Sequence, residues 1–430
     1  MAAASEAISL FSGIGRRRTE LSDPAQFVTR FGTEPASMDE WTQRLIATAD
    51  EDPAPAVTKA LSRMERAMDR VDASCPPTQG ESAALFQIWT AGRRLYASRV
   101  KGWVQFEQNI SRKLAVLAQL AKRNADIAQA PISLAVSGFR FSAAFCEQQS
   151  MCADKPISVL DKLTKGYDEY DVIASVGEQQ GLAREWRAVI PILPVLPVKL
   201  LSPLSRWSVG LSMLAALDRA TSYTELAELE LKKKRTLQCN PYFVLGQLLR
   251  ANVGIVIFHG FGNSHLISRH LPLLWDYMGF LRDTGVGVVL WGTSALDLCA
   301  GPSFYKAFPG RPTGLNPYRI DDASARQLAA FYWNRLDVHG QMPAGFASMV
   351  QRLAGQREWI EMAIRSFLER VYLGGNSPED AAQAALDEVI ADGMVGALSA
   401  LIEWHRKEID KQKMADWRDW LPVRTGGKCA

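Results

Sequence analysis

Short apolar runs alternate with helical patterns between residues 131 and 320, and this alternation constrains the fold most. The runs ISLAVSG, AVIPILPVLPV, GIVIF and VGVVLWG begin at residues 132, 188, 254 and 286 and are typical of buried strands. Helical spacing of apolar residues separates them, over Leu204–Leu217, Tyr242–Leu249 and Leu271–Leu281. Parallel strands need such crossovers, so the sequence predicts an α/β fold with a parallel sheet flanked by helices.

The margins of this pattern are less regular. A fifth strand is predicted near Leu315–Ile320. The second run carries Pro191, Pro194 and Pro197. Because proline cannot donate to a sheet ladder, we expect this segment to be irregular in part or to lie at an edge.

Residues after Asp321 carry helical patterns to the end of the chain. The predicted helices span Ala323–Leu336, Pro343–Leu353, Trp359–Tyr372, Ser377–Asp392 and Met394–Lys413. Ser377 has the character of a helix N-cap, with Pro378 at the first helical position. An all-α unit is therefore expected to follow the α/β unit.

Changes in composition divide the chain into four predicted units. Clusters of Pro, Asp and Glu punctuate residues 1–81, which we interpret as a helical, partly flexible appendage. Residues 82–320 form the α/β core with leading basic helices, and residues 321–400 form the helical unit. Residues 401–430 form a C-terminal helix and a basic tail.

The composition is that of a cytoplasmic globular protein. Hydrophobic residues make up 47% and charged residues 22%, and no apolar run is long enough to span a membrane. The first arginines follow the N-terminal apolar run, which is the reverse of a secretory signal. The six cysteines are scattered without a Cys-x-x-Cys pair, so we expect reduced thiols.

Positive charge is unevenly distributed along the chain. Residues 81–130 contain eight basic and three acidic residues, a balance of +5, whereas the whole chain is at +3. Arg93 and Arg94 in this stretch, and the run Lys232, Lys233, Lys234 and Arg235, are candidates for contact with DNA phosphates. The other interpretation is a solvated helix face, or a helix end that favours cations.

The loop after the first apolar run is the place for a phosphate-binding loop of pattern G-x-x-x-x-G-K-[ST], since ligands bind beyond the carboxyl ends of parallel strands. With Gly138 as the first glycine, Ala144 falls where the lysine belongs and Phe145 where the hydroxyl belongs. Arg140 and Ser142 are the groups nearby that can attract an anion. The sequence therefore predicts a degenerate phosphate loop.

The loops after the third and fourth runs complete the expected site. An ATPase places two carboxylates after the third run, one for Mg²⁺ and one for the attacking water, but here His259 and Gly260 follow it. Thr293 and Ser294 follow the fourth run, where a polar residue senses the terminal phosphate; alternatively they form a turn or an N-cap. We expect His259 to occupy the former carboxylate position and to bond Thr293 or Ser294.

Metal binding and covalent catalysis are not expected. His259, His265 and His270 are close in sequence, but their spacings do not repeat on one helical face. The chain has no G-x-S-x-G element for a nucleophilic serine.

With these loops in order, residues from about Ala91 to Asp392 resemble the bacterial transposon-encoded AAA+ regulators of the TnsC/TniB type. ISLAVSG stands at the family's phosphate-loop strand, GIVIFHG at its carboxylate strand, and VGVVLWGTSA is similar to its sensor strand. The helical unit looks like the family's lid, in which Arg357 falls near a second sensor position. The resemblance implies an AAA+/P-loop-like core followed by an all-α lid.

Members of that family assemble on DNA with ATP and link a target-recognition protein to the transposase. The resemblance with a degenerate site implies a non-catalytic adaptor without a cofactor. Its expected partners are a transposase or target-selection protein, an active AAA+ paralogue and double-stranded DNA, in a homo- or hetero-oligomer. A divergent active ATPase that uses ATP and Mg²⁺ is one alternative, and a structural or signalling scaffold unrelated to DNA is another.

Overall fold

The computed structural model describes most of the chain. The described residues are 19–21, 23–49, 60–73, 76–100, 108, 112, 132–134, 138–147, 154–176, 184–205, 208–221, 241–266, 268–299, 301–315, 322–336, 338, 340–353, 357–391 and 395–416.

Within these residues, seven strands form one sheet in the order β1-β3-β4-β5-β6-β2-β7. The strands are β1 Thr19–Glu20, β2 Ser142–Glu147, β3 Asp168–Val176, β4 Arg184–Lys199, β5 Val253–Phe261, β6 Gly287–Thr293 and β7 Thr313–Gly314. Every neighbouring pair is parallel except β3 and β4. The predicted α/β fold with a parallel sheet is therefore confirmed, with one antiparallel pair that the sequence did not indicate.

Helices flank the sheet and then continue as a separate group. The helices are α1 Gln26–Thr29, α2 Met38–Ala49, α3 Ala60–Ala73, α4 Gln79–Arg99, α5 Asp154–Leu163, α6 Ser208–Thr221, α7 Pro241–Arg250, α8 Asn263–Leu266, α9 Leu271–Asp283, α10 Pro302–Ala307, α11 Asp322–Trp333, α12 Ala344–Arg352, α13 Arg357–Tyr372, α14 Pro378–Val389, α15 Val395–Arg406 and α16 Lys411–Asp416. None of the described helices has the length and apolarity needed to cross a membrane.

The first predicted strand is wrong. Ile132 and Leu134 are not in a strand, and residues 135–137 lie outside the described part. The strand at this point of the fold is β2, which begins at Ser142.

The last short strand is Thr313–Gly314, which lies just before the predicted fifth strand. Residues 316–320 of that predicted strand are not described.

The proline-rich strand β4 is 16 residues long and changes partner along its length. Its first part pairs with β3 as far as Ile192, and its last part pairs with β5 from Leu193 onward. Each part therefore has one partner among the described strands, and the missing N–H of a proline can face the open side. The expected edge character holds for each half, although β4 as a whole lies inside the sheet.

The sheet separates two apolar cores. Along β5, Val256 and Phe258 point into a core with α6, α7, α9 and α10, whereas Ile255 and Ile257 point into a core with α1, α2, α4 and α5. Successive strand residues face opposite sides, so this fully apolar run fills both cores.

The described N-terminal segments share these cores. Trp41 of α2 and Trp89 of α4 pack at 5.4 Å in the second core. A third core joins α3 to α11, α12, α13 and α14. The four predicted units, including the boundary after residue 81, stay a prediction.

A buried arginine fixes the amino end of the central strands. Arg99, at the end of α4, donates to the carbonyls of Asn252, Val253 and Gly285 at 2.9–3.1 Å. The Asn252 side chain accepts from Leu134 N at 2.6 Å. One guanidinium therefore donates to three buried backbone acceptors, and the Tyr96 hydroxyl is a second donor to the Asn252 carbonyl.

We expect Arg99→Met to lower the free energy of unfolding by about 2–4 kcal/mol, because these buried carbonyls lose a charged donor. Arg94→Met on the same helix is the matched control, since Arg94 is exposed, and it should change stability by less than about 0.5 kcal/mol. Urea unfolding followed by circular dichroism measures both. Equal effects of the two substitutions would contradict the role of Arg99.

Candidate functional site

The ends of four parallel strands bring polar side chains together. Glu147 ends β2, Lys199 ends β4, His259 lies near the end of β5, and Thr293 ends β6. Since these strands are parallel, the four residues lie along one edge of the sheet, which we call the carboxyl edge. This is the place where a doubly covered parallel sheet binds ligands.

The predicted phosphate loop does not lie at the carboxyl edge. Ala144 is a buried residue within β2, and Ser142 begins that strand opposite Val288. Gly138 precedes the strand, and the exposed Arg140 also lies at the amino end, with Nε 3.9 Å from Asp283 Oδ1. The β-branched and aliphatic residues of ISLAVSG have a higher strand propensity than SAAFCE, so propensity alone places the strand too early in the sequence.

The connection that does follow β2 also lacks the motif. Residues 148–153 are outside the described part, but their sequence, QQSMCA, contains neither glycine nor lysine. Helix α5 then begins at Asp154. The first lysine is Lys155, whose Nζ lies 2.7 Å from Glu361 Oε1 of α13, and Pro156 follows in place of a hydroxyl residue.

His259 forms a charged cluster with the start of α5. Its Nδ1 lies 2.6 Å from Asp154 Oδ1, and Lys199 Nζ lies 3.7 Å from Asp154 Oδ2. The hydrogen bond from His259 lowers the pKa of Asp154, with smaller effects from its charge and from Lys199. The expected bond from His259 to Thr293 or Ser294 is therefore wrong, because the histidine turns toward α5.

Gly260, the second residue of the former carboxylate pair, has a backbone role. Its φ of +79° lies in the left-handed region that favours glycine. The register between β5 and β6 shifts between His259 and Phe261 at this point. The residue therefore forms a bulge that redirects the end of β5.

Glu147 is one of the site residues that the sequence did not single out. Its side chain is 6% exposed, and Oε2 accepts a hydrogen bond from Trp291 Nε1 at 2.9 Å. Burial raises its pKa to about 8, and the nearby charge of Glu81 adds to this. At neutral pH its carboxyl group is therefore mostly protonated. Only knowledge of where β2 ends could have identified it.

Arg357 joins the helical group to the sheet. Its Nη2 donates to both carboxylate oxygens of Glu81, at 3.0 and 2.8 Å, and to Pro76 O at 3.2 Å. Glu81 also accepts from Thr78 N and completes a capping box at the start of α4. The pair is almost entirely buried, so its two charges depend on each other.

Thr293 and Ser294 are fully buried at the end of β6. Thr293 is the N-cap of a 3₁₀ turn over Ser294–Leu298, with Oγ1 accepting from Ala295 N at 3.2 Å. Of the two interpretations of this pair, the structure therefore places Thr293 in the capping role.

The basic candidates for DNA contact are only partly described. Arg93 forms an ion pair with Glu34 at 2.9 Å and lies over the Trp89 ring, whereas Arg94 is exposed. The run Lys232–Arg235 lies outside the described residues. Within the described part, no group of three His, Cys, Asp or Glu side chains is arranged to hold a metal ion.

Neither a scan of protein-family models nor a search of curated proteins gives a match to this chain.

Glu147→Gln tests the neutral carboxyl group. Because the folded-state pKa of about 8 exceeds the ordinary 4.5, the native state holds the extra proton between these values. Stability of the wild type should therefore fall as pH rises through this window, by at most about 1.4 kcal/mol per pH unit. The glutamine variant lacks this loss. Its free energy of unfolding relative to that of the wild type should therefore rise up to about pH 8 and then stay constant. Thermal melts from pH 5 to 9 measure the difference, and parallel curves would contradict the assignment.

Arg357→Met should lower the free energy of unfolding by about 3–5 kcal/mol, because it leaves the Glu81 carboxylate buried without its partner. The matched control is Arg365→Met on the same helix, which removes an exposed pair with Asp72 and should cost at most about 1 kcal/mol. Denaturant unfolding distinguishes the two. Similar small losses would mean that the Arg357 pair is not a structural connection.

Proposed function

We propose that this chain is a non-catalytic AAA+-like adaptor in bacterial DNA transposition, which binds partner proteins and the DNA backbone. One observation carries the non-catalytic part. Three described cations near the carboxyl edge, Lys155, Lys199 and Arg357, are each paired with a carboxylate of the chain itself. An incoming polyphosphate would have to compete with those carboxylates for them.

The acidic groups at the edge strengthen this argument. A nucleotide phosphate would approach the carboxylates of Asp154 and Glu81, and like charges repel each other. His259, which stands in place of the magnesium-binding carboxylate, is bonded to Asp154. The groups that a P-loop ATPase supplies for Mg²⁺ and for the attacking water are thus replaced.

The strand order supports the AAA+ part of the proposal. β2 lies between β6 and β7, and β5 lies between β4 and β6. AAA+ ATPases place the phosphate-loop strand beside the sensor strand, and the carboxylate strand on the sensor strand's other side. β2, β6 and β5 have these positions, and the helical group carries Arg357 toward the same edge. The link to transposition rests on the sequence resemblance.

The nucleotide test is direct. We expect calorimetry to detect no binding of ATP with Mg²⁺, and a phosphate-release assay to detect no turnover, with or without duplex DNA. An intact P-loop ATPase assayed in parallel is the positive control. Turnover that is lost in Thr293→Ala would instead establish the alternative of a divergent ATPase.

The DNA test uses salt dependence. Fluorescence anisotropy with a labelled duplex should show binding that weakens steeply as salt rises, because phosphate contacts release counterions. Replacing Lys232, Lys233, Lys234 and Arg235 by glutamate should weaken it at least tenfold. Arg93→Glu is not a clean control because Arg93 is paired with Glu34. Arg326→Glu on α11 serves instead, since Arg326 is exposed and makes no ion pair with a described residue. Absence of salt-dependent binding would favour a scaffold unrelated to DNA.

A further inference from the structure

A cavity lies among the helices that cover one face of the sheet, and its wall includes none of the polar residues described above at the carboxyl edge. It has a volume of about 360 Å³ and opens between the starts of α6 and α7 and one face of α9. Val209 and Leu274 form part of its apolar wall. This volume falls within the range of sites for small molecules.

Aromatic rings surround the opening. Tyr277 and Phe280 lie on α9, where Leu273, Tyr277 and Phe280 follow one another at spacings of four and three and share a helix face. Tyr242 of α7 is 73% exposed, and its ring meets Phe280 edge to face at 5.4 Å. Such rings present electron-rich faces, which attract organic cations.

A carboxylate stands on the same helix face. Asp276 lines the cavity and makes no ion pair or hydrogen bond with any residue in the described part of the chain. His270, the other titratable wall residue besides the tyrosines, accepts a hydrogen bond at Nε2 from Arg269 Nε at 3.3 Å. Asp276 is the acidic residue among the wall residues.

We propose that this cavity binds a small organic cation with an aromatic or bulky apolar body, of which an arylalkyl ammonium is the simplest form. The apolar body fills the space against Val209 and Leu274. The ammonium group lies at the aromatic opening, where Asp276 provides the opposite charge. Neither the binding nor its test depends on nucleotide, DNA or the adaptor function.

The test compares three ligands with one skeleton and different charge: 2-phenylethylammonium, 2-phenylethanol and phenylacetate. Saturation-transfer NMR and calorimetry on the full chain should show saturable binding of the ammonium ion. We expect it to bind about fivefold more tightly than the alcohol, with phenylacetate weakest. Equal affinity for the ammonium ion and the alcohol, or no saturable binding of the ammonium ion, overturns the proposal.

Variants assign the binding to this cavity. Asp276→Asn should reduce the affinity for the ammonium ion to that for the alcohol, and Tyr242→Ala should weaken both ligands. Both side chains are exposed, so the fold should be kept, which thermal melts check. Asp69→Asn removes an exposed carboxylate on α3 and is the matched control, with no change expected. Unchanged ammonium binding in Asp276→Asn or Tyr242→Ala overturns the assignment.

Discussion

The buried pair between Arg357 and Glu81 is the interaction on which the arrangement of the chain most depends. One carboxylate completes the cap of α4 and also receives the guanidinium of α13. Helix α4 in turn lies against the sheet, and its last residue, Arg99, binds the carbonyls at the amino end of β5. A single helix therefore transmits the position of the sheet to the helical group, and both of its ends are held by buried charged hydrogen bonds.

The same pair influences the charge of the carboxyl edge. Burial is the main cause of the raised pKa of Glu147, the nearby Glu81 charge raises it further, and the hydrogen bond from Trp291 and the charge of Arg357 lower it only in part. Asp154, by contrast, receives His259 and Lys199 and stays ionised. Two carboxyl groups on one edge thus differ in charge because of their neighbours. The edge is close to electrically balanced without a bound ligand, whereas a phosphate site needs an excess of donors and positive charge.

The sequence predicted the elements that are long and strongly patterned. The runs that became β5 and β6, and the helices α7, α9 and α13, lie within a few residues of the predicted bounds. The position of β2 was predicted wrongly because SAAFCE has a lower strand propensity than ISLAVSG. β3 was not predicted because it depends on pairing with other strands of the sheet more than on its own residues. Because the strand was predicted too early, Ser142 and Ala144 were expected at the site although they lie within β2, and Glu147 at its end was not predicted. The ion pairs could not be predicted, since they join residues far apart in sequence, such as Glu81 and Arg357.

A fixed connection between the sheet and the helical group also bears on the kind of protein this is. In a switch, a ligand must bind one arrangement of two units more tightly than another. Here the arginine that faces the carboxyl edge is paired with a carboxylate of α4, so orientation of the helical group does not require a phosphate. Breaking the pair would leave two charges buried without a partner, which is unfavourable by several kcal/mol. The arrangement therefore favours one conformation without nucleotide, as a binding scaffold requires and a nucleotide-driven machine does not.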